Sequence, residues 1–379
     1  MERAEKRTKI MKSFESCILS DDIIENLILP RLPMKSLFQF KCVCKKWRTL
    51  ITDDPNFRLQ QSLTFDPPSG LLYWNNKMLI FLSSDGRLMS VPDPALSFLG
   101  KFVSVKASCN GLICGFYMKK DGVVGIYVCN PVTKETRSIP NPRRRLILGL
   151  AFNPLAPNPY YKLICPYRVH HQDMMHSEYG LDMYSSKTRK WRESKKTITI
   201  SSKSVVTGKS FFVDGIIYFR ATNEIIWIHT IRDIVGVQQL PSTNSRVITS
   251  TLGRYKSRLS YTQVSSEEIE IWTLNDFCWE ELCSFRLDIL DVFCQPAMSI
   301  FEHLVSERSV EGSLWNLEAK NQSFRPLPLV LEDVFLFQVG LKVYFYNIRA
   351  SEVSEVCPYA HKMVNITCLP YVNSLVTVP

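Results

Sequence analysis

Residues 19–57 read LSDDIIENLILPRLPMKSLFQFKCVCKKWRTLITDDPNF, and this stretch decides how the chain is organised. Its apolar residues recur at helical spacing, and prolines divide it into short pieces. Ser20 or Asp21 is suited to cap a first helix, because a side-chain oxygen there accepts from the free N–H groups of the first turn. Proline lacks an N–H and disfavours a helical residue before it, so we expect Pro30 and Pro33 to end that helix.

The positions of the prolines and the apolar spacing also predict a second helix over about residues 34–43 and a third over about residues 44–52. A segment of about forty residues with three short helices has too little volume to bury all of its apolar side chains. We therefore expect some of this apolar surface to lie outside the segment's own core. That surface either packs on the rest of the chain or forms a docking face for a partner.

Residues 31–51, RLPMKSLFQFKCVCKKWRTLI, resemble the F-box in its plant form almost position for position. The matching residues are Leu32, Pro33, Lys35, Ser36, Leu37, Phe40, Val43, Cys44, Lys45, Trp47, Arg48 and Leu50. The chain departs from the family pattern at Leu19-Ser20, where the family usually opens Leu-Pro. It also carries one extra residue, Pro30, before Arg31, and a longer Asp53-Asp54.

This resemblance implies that the segment docks onto the Skp adaptor of an SCF-type ubiquitin ligase and, through it, reaches a cullin and a RING protein. The adaptor contacts are then the apolar residues that match the motif, with the others forming the core of the module. The predicted contacts are Leu19, Ile23, Leu27, Ile28, Leu32, Pro33, Leu37, Val43 and Trp47.

From about residue 63 onward, helical spacing gives way to short apolar or alternating runs such as GLICGFY and SFFVDGIIYF. These runs are rich in Val, Ile, Tyr, Phe and Trp, and they are separated by turn-forming residues, as in half-buried strands. Asn110-Gly111 and Asp214-Gly215 predict tight hairpin turns, because both positions accept positive φ. The chain is therefore predicted to be mainly β, with a small α-helical N-terminal module.

A weak repeat, seen at residues 129–140, 183–194, 272–282 and 315–327, recurs with a period of roughly 40–50 residues, the length of one four-stranded propeller blade. Dividing the β region by this period predicts a propeller of about seven blades, with six or eight as alternatives and a pair of sandwiches as the runner-up. Large aromatic residues are predicted to fill the gaps between blades: Trp191, Trp227, Trp272, Trp279, Trp315 and Phe324.

The β region carries its own resemblance, to the plant F-box-associated domain, which is related to kelch-type propellers. The similarity rests on three segments, at residues 108–114, 129–140 and 150–163. We accordingly divide the chain into a basic tail at 1–17, an F-box at 18–60 and an F-box-associated β-propeller domain at 63–379. The resemblance implies that the propeller holds a protein substrate.

The net charge of +10 suits an acidic partner, but the basic residues are dispersed and are not interleaved with stacking aromatics, so nucleic acid is not favoured. We find no apolar run long enough to span a membrane and no secretory signal. The twelve cysteines follow no repeating spacing and are expected to be reduced, in the cytoplasm or the nucleus.

The sequence shows no catalytic constellation, metal site or cofactor motif, and the family resemblance implies an adaptor rather than an enzyme. Gly208-Lys209-Ser210 fails as a phosphate loop, because no glycine stands five residues before Gly208 and no helix is expected after it. His170, His171 and His176 lack further ligands at zinc spacing. A propeller enzyme and an interaction scaffold or basic nucleic-acid binder are the alternatives.

Recognition of a substrate is expected in loops on one side of the propeller, because connecting segments on a rigid scaffold carry binding residues. The candidate loops contain Arg143–Arg145, His170-His171 and Arg254–Arg258. For each of them an ordinary solvated loop is the favoured interpretation, and none is assigned as a site.

Overall fold

The structure is a computed structural model. It describes residues 19–32, 34–63, 70–74, 78–83, 88–142, 147–169, 175–241, 247–265, 267–286, 324–331, 334–339, 342–357 and 367–379. The chain divides into two compact units, Met1–Thr64 and Phe65–Pro379. We call the first the helical unit and the second the β domain.

The described part of the helical unit contains four helical elements. The first, α1, is composite and joins an α-helical turn, a π-helical segment and a 3-10 turn in direct succession. Its segments are Asp21–Ile23, Ile24–Ile28 and Leu29–Arg31. The others are α2 (Met34–Phe40), α3 (Lys45–Asp53) and α4 (Pro55–Leu63).

Helix α1 begins with the Ser20 cap that the sequence predicted, because Ser20 Oγ accepts from the N–H of Ile23 at 3.4 Å. Its end is different, because Pro30 lies inside the 3-10 turn rather than beyond the last helical residue. In the π-helical segment the N–H of Leu29 donates to the carbonyl of Ile24, a turn with one residue more than an α-turn. The extra residue relative to the F-box pattern is thus accommodated within α1.

The helix α4 lies beyond the three helices predicted. Asp54 Oδ1 accepts from the N–H groups of Asn56 at 2.7 Å and Phe57 at 3.0 Å, which caps the helix. Pro55 then supplies a helical φ at the first position, where its missing N–H costs nothing. Phe57 and Gln61 are buried. The segment after α3 therefore extends the folded unit rather than serving as a linker.

The described residues of the β domain contain twenty-five strands, which fall into six four-stranded blades, blade 3 with one additional strand. Blade 1 contains β1 (Gly70–Trp74), β2 (Leu79–Ser83), β3 (Leu88–Ser90) and, from the end of the chain, β25 (Thr367–Tyr371). Blade 2 contains β4 (Lys101–Cys109), β5 (Leu112–Met118), β6 (Val124–Cys129) and β7 (Thr136–Ile139).

Blade 3 contains β8 (Gly149–Phe152), β9 (Tyr161–Val169), β10 (His176–Ser185), β11 (Lys190–Glu193) and the additional β12 (Ile198–Ser201), which also pairs with β10. Blade 4 contains β13 (Ser210–Val213), β14 (Ile216–Arg220), β15 (Glu224–His229) and β16 (Ile234–Gln239). Blade 5 contains β17 (Thr249–Tyr255), β18 (Arg258–Val264), β19 (Glu268–Asn275) and β20 (Cys278–Arg286). Blade 6 contains β21 (Phe324–Leu331), β22 (Val334–Val339), β23 (Lys342–Asn347) and β24 (Glu352–Cys357).

The ring is closed by the two ends of the β domain. Strand β25 pairs antiparallel with β1, in a register that runs from Gly70 opposite Tyr371 to Trp74 opposite Thr367. The last strand of the chain therefore completes the first blade. Closure of this kind leaves only short strand edges at the rim of the ring.

Six buried apolar clusters show that the ring has six blades. They join blades 1 and 2, 2 and 3, 3 and 4, 4 and 5, 5 and 6, and finally 6 and 1. Each blade thus packs one face of its sheet on the preceding blade and the other face on the next one, so its strands are apolar on both faces.

The prediction of about seven blades is wrong, and the alternative of six is confirmed. The described strands of the β domain are all accounted for by six blades. Blades 5 and 6 are direct neighbours, because β17 and β21 pair in parallel where Arg254 faces Leu329 and Tyr255 faces Val330. A further blade has no place between them.

The two predicted hairpin turns are confirmed. Asn110 and Gly111 have φ values of 43° and 90°, and Asp214 and Gly215 have φ values of 45° and 78°. They connect β4 to β5 and β13 to β14, the first two strands of their blades. At Gly111 even a Cβ atom would lie 2.0 Å from Ser374 Oγ, so glycine is required there by space as well as by conformation.

The Asn-Pro motif of the β domain anchors the end of the chain. Asn130 is fully buried, and its Nδ2 donates to the carbonyls of Ser374 at 2.9 Å and Val376 at 2.8 Å. Its Oδ1 accepts from the N–H of Val132 at 2.8 Å, which folds the turn after β6. The residues after β25 are therefore held against blade 2.

Tryptophans of the outer strands reach the preceding blade, as predicted. Trp191 Nε1 on β11 donates to the carbonyl of Pro140 at 2.6 Å, and Trp279 Nε1 on β20 donates to that of Gln239 at 2.8 Å. Trp227, Trp272 and Phe324 also contribute to the clusters between blades. Trp315 lies outside the described residues.

Candidate functional site

The helical unit exposes large apolar side chains. On α1, Ile23 and Leu27 are four residues apart and are 40% and 49% exposed, while Leu19 precedes the helix and is 51% exposed. Between α2 and α3, Val43 is 59% exposed, the largest exposed fraction in this group. Water-exposed apolar groups of this size on a short helical unit are typical of a surface that a partner covers.

The structure separates the nine predicted adaptor contacts into four groups. Leu19, Ile23, Leu27, Ile28 and Val43 are exposed. Leu32 and Trp47 are partly buried. Leu37 is fully buried, which assigns it to packing inside the protein rather than to an exposed surface. Pro33 lies outside the described residues.

Trp47 is fixed where α2 meets α3. Its backbone N–H donates to Cys44 Sγ at 3.4 Å, at the start of α3. Its ring packs edge-on against the ring of Phe40, with the centroids 5.6 Å apart. Trp47 therefore both packs inside the helical unit and presents part of its ring to solvent.

An ion pair links α1 to α3. Lys46 Nζ lies 2.7 Å from Glu25 Oε1 and 2.9 Å from Asp21 Oδ2. The hydrogen bonds to Glu25 and Asp21 raise the pKa of Lys46. An exposed ion pair adds little to stability. Its effect is on geometry, because it joins the start of α3 to α1, the helix that carries the exposed Ile23 and Leu27.

The β domain holds a cavity of about 1160 Å³ where several innermost strands begin. Its wall includes Thr249 and Thr367, the first residues of β17 and β25, together with Lys209 directly before β13. The connections between blades also contribute to this wall, through Thr207, Gly208, Pro241, Val247 and Ile248. Farther along the same strands, a much narrower space of about 20 Å³ is lined by Cys109, Phe211 and Arg254.

Three basic side chains line the large cavity, and no carboxylate stands among its described lining residues. They are Lys106 on β4, Lys209 and Arg220 at the end of β14. Burial lowers the pKa of the Lys209 ammonium, and the charges of Arg325 and Arg220 lower it further. Lys209 itself is exposed to solvent, so this lowering does not place its ammonium in a dry interior.

Arg220 is oriented by the protein. Its NH1 donates to the carbonyl of Ser250 at 2.7 Å and its NH2 to Ser250 Oγ at 2.5 Å, while the guanidinium lies 5.7 Å from the ring centroid of Tyr261. Burial lowers the pKa of Arg220. Glu224, whose Oε1 accepts from Gln239 Nε2 at 2.7 Å, is buried behind the cavity wall and does not line the cavity.

None of the loops proposed from sequence as substrate contacts contributes a described residue to this cavity. Arg143–Arg145 and His170-His171 lie outside the described residues. Arg254 lines the narrow space, not the large cavity. Gly208-Lys209-Ser210 leads into β13 rather than into a helix, as expected for a segment that is not a phosphate loop. Lys106 and Arg220 were missed, because the cavity is lined by residues of blades 1, 2, 4 and 5, which share no sequence motif.

Other kinds of site were also searched for in the described residues. Those residues contain no group of three or more His, Cys, Asp or Glu side chains that could hold a metal ion. No described helix is both long and apolar enough to cross a membrane.

Comparison with known proteins matches both units. The family profile described as an F-box associated beta propeller domain matches residues 70–282, more than half of the 379-residue chain, and the F-box domain profile matches residues 17–59.

Individual relatives agree with these profiles. An F-box protein of Arabidopsis thaliana is 28% identical over 231 residues, covering 55% of this chain and 60% of the relative. An F-box/kelch-repeat protein of the same plant is 24% identical over 298 residues, covering 69% and 78%. A solved structure from Desulfotomaculum acetoxidans, of unknown function, covers 78% of this chain and 83% of its own at 10% identity, with a TM-score of 0.39.

Proposed function

Because the chain belongs to the family of proteins that join an F-box to an F-box-associated β-propeller domain, we propose that it is the substrate-recognition subunit of an SCF-type E3 ubiquitin ligase. In this proposal the helical unit binds a Skp-type adaptor and thereby a cullin and a RING protein. The β domain binds the protein to be ubiquitinated. The proposed location is the cytoplasm, the nucleus or both.

The observation that carries this proposal is the exposed apolar surface of the helical unit. Leu19, Ile23, Leu27, Ile28 and Val43 are each between 37% and 59% exposed. Such side chains lower the free energy of a complex when a partner removes them from water, at about 25 cal/mol per Å² of apolar surface. The F-box match supports this proposal, because all five of these residues lie within the matched range, residues 17–59.

The mechanism is proximity rather than catalysis by this chain. A substrate held on the β domain and a ubiquitin-charged enzyme held through the adaptor belong to one assembly, so target lysines meet the donor at a high effective concentration. The closed ring supports this role, because a rigid scaffold limits the positions that a bound substrate can reach.

Substitutions on the exposed apolar surface test adaptor binding. Leu27→Asp and Val43→Asp each place a charge on an exposed apolar position, and each is expected to weaken binding of the Skp adaptor by about thirtyfold or more, the loss of a hot spot worth about 2 kcal/mol. Titration calorimetry with purified adaptor measures the effect. Thr49→Asp, at an exposed polar position on α3, is the matched control and should bind like the unsubstituted protein.

Trp47→Ala is expected to weaken adaptor binding by a similar factor, but it also removes the ring contact with Phe40. Its helical circular dichroism must therefore be compared with that of the unsubstituted chain. Adaptor binding at full strength by folded Leu27→Asp and Val43→Asp proteins would contradict the docking surface proposed here.

A further inference from the structure

The large cavity of the β domain combines three features that bear on its ligand. It is open to solvent, it is lined by Lys106, Lys209 and Arg220, and its described lining residues include no carboxylate. A site with these features has a positive potential that its described lining residues do not neutralise. Anionic ligands are favoured there and cationic ligands are excluded.

The two lysines have unused hydrogen-bonding capacity. Neither Lys106 nor Lys209 makes a hydrogen bond or ion pair with another described residue. Each ammonium group carries three donors, and an ammonium close to other cations is stabilised when an anion binds between them. Arg220, by contrast, is held by Ser250 and has donors left over, since two of its five N–H groups suffice for the two bonds to that residue.

The remaining lining residues supply neutral polar groups around this charge. They include Thr207, Thr222, Asn223, Thr249 and Thr251. Hydroxyl and amide groups of this kind bind the oxygens of a phosphate or carboxylate group as well as the backbone of a peptide.

The rim of the cavity is partly apolar. Val205, whose N–H donates to Thr222 Oγ1 at 3.1 Å, is 63% exposed, and Val247, which lines the cavity, is 38% exposed. An anionic group with apolar neighbours along an extended chain fits this combination.

The aromatic residues argue against a nucleic acid in the cavity. Single-stranded nucleic acids bind largely by stacking bases on exposed aromatic faces. Phe211 and Tyr261, the aromatic residues among the described lining, are both buried, and Arg220 covers the Tyr261 ring.

We propose that the cavity at the start of the innermost strands is the substrate site of the β domain and that it selects peptides carrying a phosphorylated or acidic side chain, which Lys106, Lys209 and Arg220 bind. This inference rests on the proposed function, since it names the class of substrate that the β domain would present.

Peptide selection by the purified whole chain tests the proposal. The probes are three short randomised peptide libraries that differ only in a fixed central residue, which is phosphoserine, glutamate or serine. The phosphoserine library should be retained most, the glutamate library less, and the serine library least. Retention should decrease as salt is added, because screening weakens the attraction between charges.

Lys209→Gln and Lys106→Gln should each reduce retention of the phosphoserine library by about tenfold, the loss of one charge-assisted contact. Lys190→Gln removes an equal charge from an exposed position on the outer strand β11 and should leave retention unchanged. Equal retention of the phosphoserine and serine libraries, or equal effects of all three substitutions, would overturn the proposal. The proposal would also be overturned if a random single-stranded oligonucleotide bound more strongly than the phosphoserine library at the same salt concentration. That result would indicate a nucleic-acid site.

Adaptor binding by the same preparation separates this inference from the proposed function. If the chain binds the Skp adaptor but does not distinguish the libraries, only the substrate class is wrong. If it selects phosphoserine peptides but does not bind the adaptor, the cavity is a peptide site and the ligase role is rejected.

Discussion

At the residue scale, the most informative side chains of the β domain are polar groups that bind the chain to itself. Asn130 belongs to the Asn-Pro motif on which the family resemblance rests, and it makes hydrogen bonds to Val132, Ser374 and Val376 from a fully buried position. The motif therefore marks a structural anchor, not a substrate contact.

Asn130→Ala should lower the free energy of unfolding of the β domain by about 3 kcal/mol, because it leaves buried carbonyl and N–H groups without partners. Urea denaturation followed by tryptophan fluorescence measures the change. Asn153→Ala, which removes an exposed side chain whose Oδ1 accepts from the nearby N–H of Leu155, should cost less than about 1 kcal/mol. Equal losses for the two variants would contradict the anchoring role of Asn130.

Buried thiols should make the β domain sensitive to alkaline pH. Burial raises the pKa of Cys109, Cys165 and Cys368 to about 12, whereas a thiol in the unfolded chain titrates near about 8.5. Because the folded pKa is the higher one, the stability linked to these thiols is complete below about pH 8.5 and is lost as the pH rises toward about 12.

The free energy of unfolding, measured in urea between pH 8 and pH 11, should therefore fall as the pH rises. The fall should be shallower in a Cys368→Ala variant, which removes one of the titrating thiols. Identical pH dependence in the two proteins would show that Cys368 does not contribute.

The residues of the cavity show what sequence reasoning cannot reach. Lys106 and Arg220 are more than a hundred residues apart in the sequence. Lys106 belongs to blade 2, Arg220 to blade 4, and Lys209 to the connection before blade 4. Only closure of the ring brings them together, so no local spacing marks them. The predicted adaptor contacts of the helical unit are close in sequence, and five of the nine are exposed in the structure.

At the scale of the elements, the sequence predicted a helix start or a turn correctly wherever one or two residues determine the local backbone conformation. Ser20 starts α1, and Asn110-Gly111 and Asp214-Gly215 make their turns. The fourth helix also had a local signal, Asp54 followed by Pro55, which the apolar spacing did not show. The π-helical segment Ile24–Ile28 had none, because its geometry depends on how α1 packs.

Strand β25 is the element on which closure of the ring depends. Deletion of residues 367–379 would leave blade 1 with three strands and would expose the paired edge of β1. We expect the truncated chain to lose cooperative thermal unfolding and to aggregate, because an uncovered strand edge pairs with other molecules. Light scattering and calorimetry measure both effects.

Removal of Pro379 alone is the control for this deletion, since it leaves β25 and the anchored segment after it in place. It should unfold like the complete chain. A soluble and cooperatively folded protein without residues 367–379 would contradict the closure of the ring by β25.

At the scale of the whole molecule, the architecture was predictable in kind but not in number. Strand composition and the repeat of 40–50 residues indicated a propeller. The number of blades could not be obtained from the sequence, because the repeat period is only approximate and is compatible with six, seven or eight blades. Because blade 5 packs directly on blade 6, the ring has six blades.

The most direct test of the account is co-purification of the whole chain with the Skp adaptor and a cullin. The unsubstituted protein and a variant carrying Leu27→Asp and Val43→Asp are compared, both first shown to be folded. The account predicts that the unsubstituted chain retains both partners and that the variant retains neither. If the unsubstituted chain, folded and soluble, retains neither partner, the proposed role as a ligase subunit is contradicted.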